Sequence, residues 1–412
     1  MKFSRIGRML MALVVSLGLG LGLTSCAVGT IAYMWVLGTQ YNQIAGFKVD
    51  SYTGNLTPTV GAPYSSGGTN PVSIVVRTGG RYVYVVNQGT ATTGGNIAQF
   101  TVGGDGVLTF QQSFTSQGTT PIWAATDTTG NFLYVLDQLS PDGVNGDITV
   151  FQIDSNTGRL SLVTNTQVKN ANGTYLSYFP VGPKPIMMRA SGSCLFTLDA
   201  GDNTVFPYQQ NTGTGQLTLT TNSTITTGSN TDGGARKLTS INASGSYVYL
   251  TDAAATTTST GGQILPYTVG TNCALNSLAG GAINNLPLTS NPSYSFTDSR
   301  TKFLYVLNQT STNSQNPNSS ISAFTIDPGN GKLQPVGGST NTNNPYAVGS
   351  GPVCMVEDPT NQYLYTSNHA DGTVTGKFIN VATGELSDLA RGSSFPAVGL
   401  STCLAISGNT SN

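Results

Sequence analysis

A single histidine, His369, stands in the run Ser367-Asn368-His369-Ala370-Asp371. Its imidazole suits acid–base work near neutral pH. Arg236 is the cation set beside it as a catalytic candidate. Lys184, Arg189 and Lys237, with the carboxyl of Glu357, form a ligand-binding set. Four cations near one mouth suit an anionic sugar acid or a phosphate. The same residues also suit a plainer reading, as surface charges or as an Arg189–Glu357 pair inside a channel. A second group recurs at one position of a repeat: Asn87, Asp137, Asp199, Asp252, Asn308 and Asn368. Its three successive carboxylates suit a divalent cation with oxygen ligands. Asn and Asp at such places also cap the backbone of the loop that follows, and that reading is preferred. No His/Cys metal spacing, phosphate-cradling loop or Gly-x-Ser-x-Gly elbow occurs in a fitting context, so no metal and no cofactor is expected.

The elements that must position these residues come from a repeat of seven units. Tyr82-Val-Tyr-Val-Val-Asn87, Ile97-Ala-Gln-Phe100 and Gly106-Val-Leu108 form one copy. Phe303-Leu-Tyr-Val-Leu-Asn308, Ile321-Ser-Ala-Phe324 and Gly331-Lys-Leu333 form another. The marker aromatics Phe47, Phe100, Phe151, Tyr208, Tyr267, Phe324 and Phe378 lie roughly 51 to 59 residues apart, the period of propeller blades. The Gly-x-Leu turns at Gly54, Gly106, Gly158, Gly215, Gly331 and Gly384 keep the same period, with Cys273 replacing glycine in the fifth copy.

Each unit reads as four strands, A to D. Strand A follows a proline, strand B is continuously apolar, strand C alternates, and strand D begins at the Gly-x-Leu turn. The expected fold is therefore all-β: a seven-bladed β-propeller of four-stranded antiparallel blades over residues 27–412. The first unit lacks a strand A, and the segment 396–406 supplies one at the other end of the chain. It should pair with 31–37, close the ring and leave no long open edge.

Lys2, Arg5 and Arg8 precede an apolar run from Met9 to Leu23, which has a secretory shape. The run ends in Leu23-Thr24-Ser25-Cys26, similar to the bacterial lipobox, with residues 1–26 as signal and Cys26 as the acylated residue. This implies an exported protein anchored to the cell envelope, and the alanine at position 27 favours the outer membrane. Charged residues make up 8% of the chain and the formal net charge is −1. That excludes a nucleic-acid surface, which needs clustered Lys and Arg. A monomer is expected. Cys354 and Cys403 occupy one position on strand A of the last and closing blades, where a disulfide would lock the ring. Against that bond, equivalent positions on neighbouring blades can lie farther apart than the roughly 7 Å a disulfide spans.

The Leu-Tyr-Val-x-Asn beat, the Ile-x-x-Phe-x-Ile-Asp beat and the Thr-Gly-x-Leu turn together resemble the bacterial lactonase-type seven-bladed propellers. That family includes 6-phosphogluconolactonases and carboxymuconate cycloisomerases. YVTN repeat proteins share the strand B beat. The resemblance spans about 31–406, nearly the whole mature chain, but its motifs are strand and turn residues. It implies a His, Arg and acidic set around the central cleft, which this chain meets thinly. Two functions follow. One is an envelope lipoprotein that binds a ligand or partner through long loops at 113–121, 164–184, 222–233, 253–262, 309–320 and 338–351. The other is a hydrolase of a sugar lactone at the channel mouth. The first ordered strand is a B strand, so Cys26 lies on the face of the tight A–B turns. In spheroplasts, surface labelling of loop 309–320 should therefore exceed labelling of the 127–131 turn, and equal labelling would count against this orientation.

Overall fold

The computed structural model describes residues 29–220, 225–226, 235–254, 262–278, 280–285, 291–309, 319–338 and 343–408. The signal segment, Cys26 and parts of the loops at 222–233, 253–262, 309–320 and 338–351 lie outside these residues.

Seven antiparallel sheets follow one another along the chain, each a meander of strands A to D. Blade 1 takes its strand A, Ser401–Gly408, from the far end of the chain. That strand pairs with strand B, Thr30–Gly38, bringing Tyr33 opposite Ser407 and Trp35 opposite Ala405. The ring therefore closes as the repeat requires. The closing strand starts later than position 396, because Ser394–Pro396 is already paired with strand C of blade 7, Thr373–Ile379. The blades also carry a fifth element. In six sheets the chain steps back along strand C after strand D for two or three residues, as Tyr64–Ser65 does in blade 1. Blade 2 instead continues strand D through Leu108–Phe114.

Strand B is buried on both faces, as its continuous apolar run demands. All six residues of Tyr82–Asn87 are buried. Strand A meets strand B through a bulge at the same place in successive blades, such as Pro71/Ser73, Pro185/Met187 and Pro352/Cys354. Proline fits there because the bulge removes the need for a ladder donor.

Blades are fastened to each other by one repeated contact. The first aromatic of strand B lies against the turn glycine of the next blade: Tyr33 on Gly106, Tyr82 on Gly158, Phe132 on Gly215, Tyr247 on Gly331, Phe303 on Gly384 and Tyr363 on Gly54. A β-carbon at any of these glycines would lie 2.1–2.5 Å from a ring atom. Two residues further along strand B, Trp35, Tyr84, Tyr249, Tyr305 and Tyr365 donate to the carbonyl of the same glycine, at 2.6–3.2 Å.

The remaining boundary, between blades 4 and 5, is built differently. Cys194 takes the aromatic's place at the start of strand B, Cys194–Asp199, and Cys273 takes the glycine's. Cys273 keeps the left-handed backbone of that turn, at φ 65°, and forms a disulfide with Cys194 across the blade boundary. The second disulfide joins Cys354 to Cys403 with Cα atoms 5.1 Å apart, so the neighbouring A strands come close enough after all. It spans blade 7 and the closing strand. Among the described residues no helix is long and apolar enough to cross a membrane.

Two outcomes are expected in urea unfolding of the oxidised protein. Gly331→Ala should cost about 2–4 kcal/mol, because it combines a left-handed backbone with a clash on Tyr247. Cys403→Ser should lower stability by about 2–4 kcal/mol.

Candidate functional site

Strand A of every blade lines the central channel. At their starts these strands are drawn together by side chains reaching across blade boundaries. Thr402 donates to the Pro71 carbonyl at 2.8 Å, Thr239 to Pro292 at 2.7 Å and Ser293 to Pro352 at 3.1 Å. Toward their ends the channel widens into a cavity of about 610 Å³, which reaches the A–B turns at Ser299 and Pro359.

Arg189 lies on that cavity wall, in strand A of blade 4, Pro185–Ser191. Its guanidinium carbon sits 4.7 Å from the ring centre of Trp123 and 5.1 Å from that of Tyr294. Those rings belong to blades 3 and 6, so the side chain leans across the channel between two aromatic faces. A weakly hydrated planar cation gains from such stacking while its edge keeps N–H donors for a ligand. One donor makes a long contact, 3.4 Å, to the Met188 carbonyl. No carboxylate pairs with Arg189 among the described residues.

Glu357 ends strand A of blade 7, Pro352–Glu357, and lines the same cavity. One carboxylate oxygen accepts the Ser299 N–H at 2.9 Å and the other, Oε1, has no partner. Burial holds this carboxyl above its usual range, against hydrogen bonds that lower it. Its neighbour Asp358 is spent on the A–B turn, accepting N–H groups of Gln362 at 2.8 Å and Tyr363 at 2.6 Å.

The remaining candidates lie toward the other end of strand A. Lys184 and Lys237 are exposed and precede Pro185 and Leu238. Arg236 is committed to Asp252, with Nη1 2.9 Å from Oδ2 and both side chains largely buried. The Lys237 N–H donates to the other oxygen of Asp252 at 2.8 Å. His369 follows strand B of blade 7, its Nδ1 2.9 Å from the Ser401 carbonyl oxygen. The structure thus brings Arg189 and Glu357 to one cavity, and it places His369, Arg236, Lys184 and Lys237 outside the cavity wall.

The strand B ends bond mostly to the neighbouring strand C or to the segment before strand A. Among the described residues only Asp252 caps the loop that follows it, accepting the Ala254 N–H at 2.9 Å. Asn87 donates to the Ser66 carbonyl at 3.1 Å, Asn308 to the Ser322 hydroxyl at 2.7 Å and Asn368 to the Thr375 hydroxyl at 2.9 Å. Among the described residues no three His, Cys, Asp or Glu side chains converge on a metal position. Asp199 differs: both its oxygens are buried without a partner, and burial pushes its carboxyl up to about 8. Sequence reasoning missed the aromatic pair that holds Arg189. Trp123, one of only two tryptophans in the chain, was the available signal.

The family described as lactonase, 7-bladed beta-propeller, matches residues 29–177 and 252–391. This chain belongs to that family. No curated protein matches the sequence. Solved structures agree in fold across most of the chain. The structure of a periplasmic gluconolactonase from Pseudomonas aeruginosa is 18% identical, with a TM-score of 0.66 over 92% of this chain and 99% of that one. A Bacteroides uniformis protein, a 6-phosphogluconolactonase by inference, is 16% identical, with a TM-score of 0.69 over 92% of this chain and all of its own (100%). A Lactobacillus plantarum protein is 17% identical, with a TM-score of 0.67 over 92% and 100%. At these identities the likeness shows the fold of the lactonase propellers and leaves the reaction open.

Asp252→Ala should destabilise the protein by about 3 kcal/mol, because it strands the largely buried charge of Arg236. Guanidinium melts of the variant and the parent measure this directly.

Proposed function

We propose that this lactonase-family propeller takes a small anionic lactone, of the aldonic-acid kind, into its channel cavity and opens the ring with water. The reading is supported by Arg189, a cation held between Trp123 and Tyr294 on the cavity wall with no carboxylate partner. Its guanidinium would hold the carbonyl oxygen as negative charge develops there. Ionised Glu357 would take a proton from the attacking water. The ring C–O bond breaks, the leaving oxygen receives that proton, and the product is a hydroxy acid. Because burial raises the Glu357 carboxyl, turnover should rise with pH above the ordinary glutamate range.

The names carried by the Pseudomonas aeruginosa and Bacteroides uniformis proteins support a lactone as the substrate class. The sequence around Cys26 supports a lipid-anchored, exported protein. A partner on the long-loop face keeps its sequence argument alone, since much of 222–233, 253–262, 309–320 and 338–351 lies outside the described residues.

Hydrolysis of gluconolactone and its 6-phosphate is the decisive assay. Arg189→Ala should lower turnover about 100-fold. Glu357→Gln should remove the pH dependence, and Lys184→Ala should change little. Full activity in both channel variants would overturn the site. No turnover, with aldonate binding that Arg189→Ala abolishes, would mark the cavity as a receptor.

A further inference from the structure

In three blades, the side chain ending strand B donates a hydrogen bond to the side chain opening strand C. Asn87 donates to Asn96 at 2.8 Å, Asn308 to Ser320 at 3.2 Å and Asn368 to Thr373 at 3.0 Å. Each pair stands directly opposite in the strand register. Blade 3 puts two aspartates in the same positions, Asp137 opposite Asp147. Both are 0% exposed. Asp137 Oδ1 accepts the Ser116 hydroxyl at 2.7 Å, and Asp147 Oδ2 accepts the Thr149 hydroxyl at 3.4 Å. Asp137 Oδ2 and Asp147 Oδ1 have no partner.

Neither aspartate has an N–H to offer. The one donor two carboxyls can supply to each other is an acid O–H. Two ionised carboxylates at this separation from water would each carry an unmet desolvation cost and repel one another. We propose that Asp137 and Asp147 share a single proton, forming an acid–carboxylate latch that loosens when that proton is lost.

The groups facing the pair add no compensating cation. Asp142, in the loop between the two strands, adds negative charge to Asp147. Tyr178 approaches ahead of the short strand Phe179–Pro180, which pairs with Asp147 through Pro180. Ser116 and Gln117 face it from the segment before strand A, and neither titrates. From blade 4, the Pro185 ring lies against Gly146, while the neighbouring Lys184 is exposed. Burial is the leading cause that raises both carboxyls, and the charge of Asp137 raises Asp147 further.

The latch ties three segments together. Ser116 is bound to Asp137, and the Gln117 N–H donates to Thr149 at 2.8 Å. Residues 115–118 lead straight into strand A, Thr119–Thr126, which carries Trp123 to the cavity. Loss of the proton therefore loosens the approach to one wall of the cavity.

The folded protein keeps a proton that an ordinary aspartate releases near pH 4. Its contribution to stability is complete below that point and fades as pH rises through neutral into the alkaline range. Glu357 and Asp199 are raised as well, so the diagnostic quantity is the difference between variants. Thermal melts of full-length protein would run from about pH 5 to about pH 9, for the parent, Asp147→Asn and Asp137→Asn. The parent should lose melting temperature with pH more steeply than either variant, whose amide restores the bond seen in blade 2. Amide protection at 115–118, with the intrinsic base-catalysed rate divided out, should fall with pH in the parent alone. Infrared difference spectra of parent minus Asp147→Asn at neutral pH should show the C=O stretch of a protonated carboxyl, which tests the proton even if a variant folds poorly. Parallel melting slopes, or no carboxylic acid band, would overturn the proposal. So would a calcium-dependent rise in melting temperature confined to the parent, which would assign the place to a cation.

Discussion

The contact between an aromatic ring and a bare glycine backbone sets the spacing of the whole ring. It demands a residue without a β-carbon, in a left-handed turn, beneath the first side chain of the preceding blade's strand B. A second aromatic two residues on reaches the carbonyl of that glycine in five of the seven boundaries. One boundary replaces the dispersion contact with a covalent bond, Cys194–Cys273, and leaves Phe196 where a hydroxyl would otherwise donate. The chain thus meets one geometrical requirement by two different chemistries. That is evidence that the distance between blades, rather than any particular residue, is what the fold must keep.

A rigid spacing has consequences for the channel. With 8% charged residues, the chain has few cations to place, and most of those among the described residues sit in turns or in loops. Arg189 is unusual in being directed across the channel, where its position depends on three blades at once. Its geometry is set by ring closure, because Trp123 and Tyr294 lie on opposite sides of it in the circle. The polar ends of strand B serve a different purpose. Asn308 and Asn368 tie strand B to strand C within their own blades, and Asn87 holds the segment that leads into strand A.

Much of this was legible before any coordinates. The missing first strand and the surplus last one pointed to closure, and Ser401–Gly408 beside Thr30–Gly38 bears that out. The exact start of that strand was hidden, because the short outer strand Ser394–Pro396 carries no periodic signal at three residues. Cys354 and Cys403 were readable as equivalent positions, whereas Cys194 and Cys273 occupy different beats of the repeat, an aromatic's and a glycine's. Arg189 and Glu357 could be placed on the channel from strand A alone. Arg236 could not be separated from them, since its bond to Asp252 follows from the pairing of Leu238 with Asp252 across the bulge. Contacts between blades 3, 4 and 6 leave no mark in linear spacing, so the rings around Arg189 went unseen.

Both ends of the described chain belong to adjacent strands of one blade and leave it at the same edge, with Ala32 opposite Gly408. Tension drawn between them would peel backbone bonds one after another, the weakest way to load a ladder. Cys403 stands a few residues in from that edge, tied to Cys354 on the next blade. That bond does not cross the ladder to Thr30–Gly38, so the tear would run past it and open the circle at the one seam no covalent bond spans.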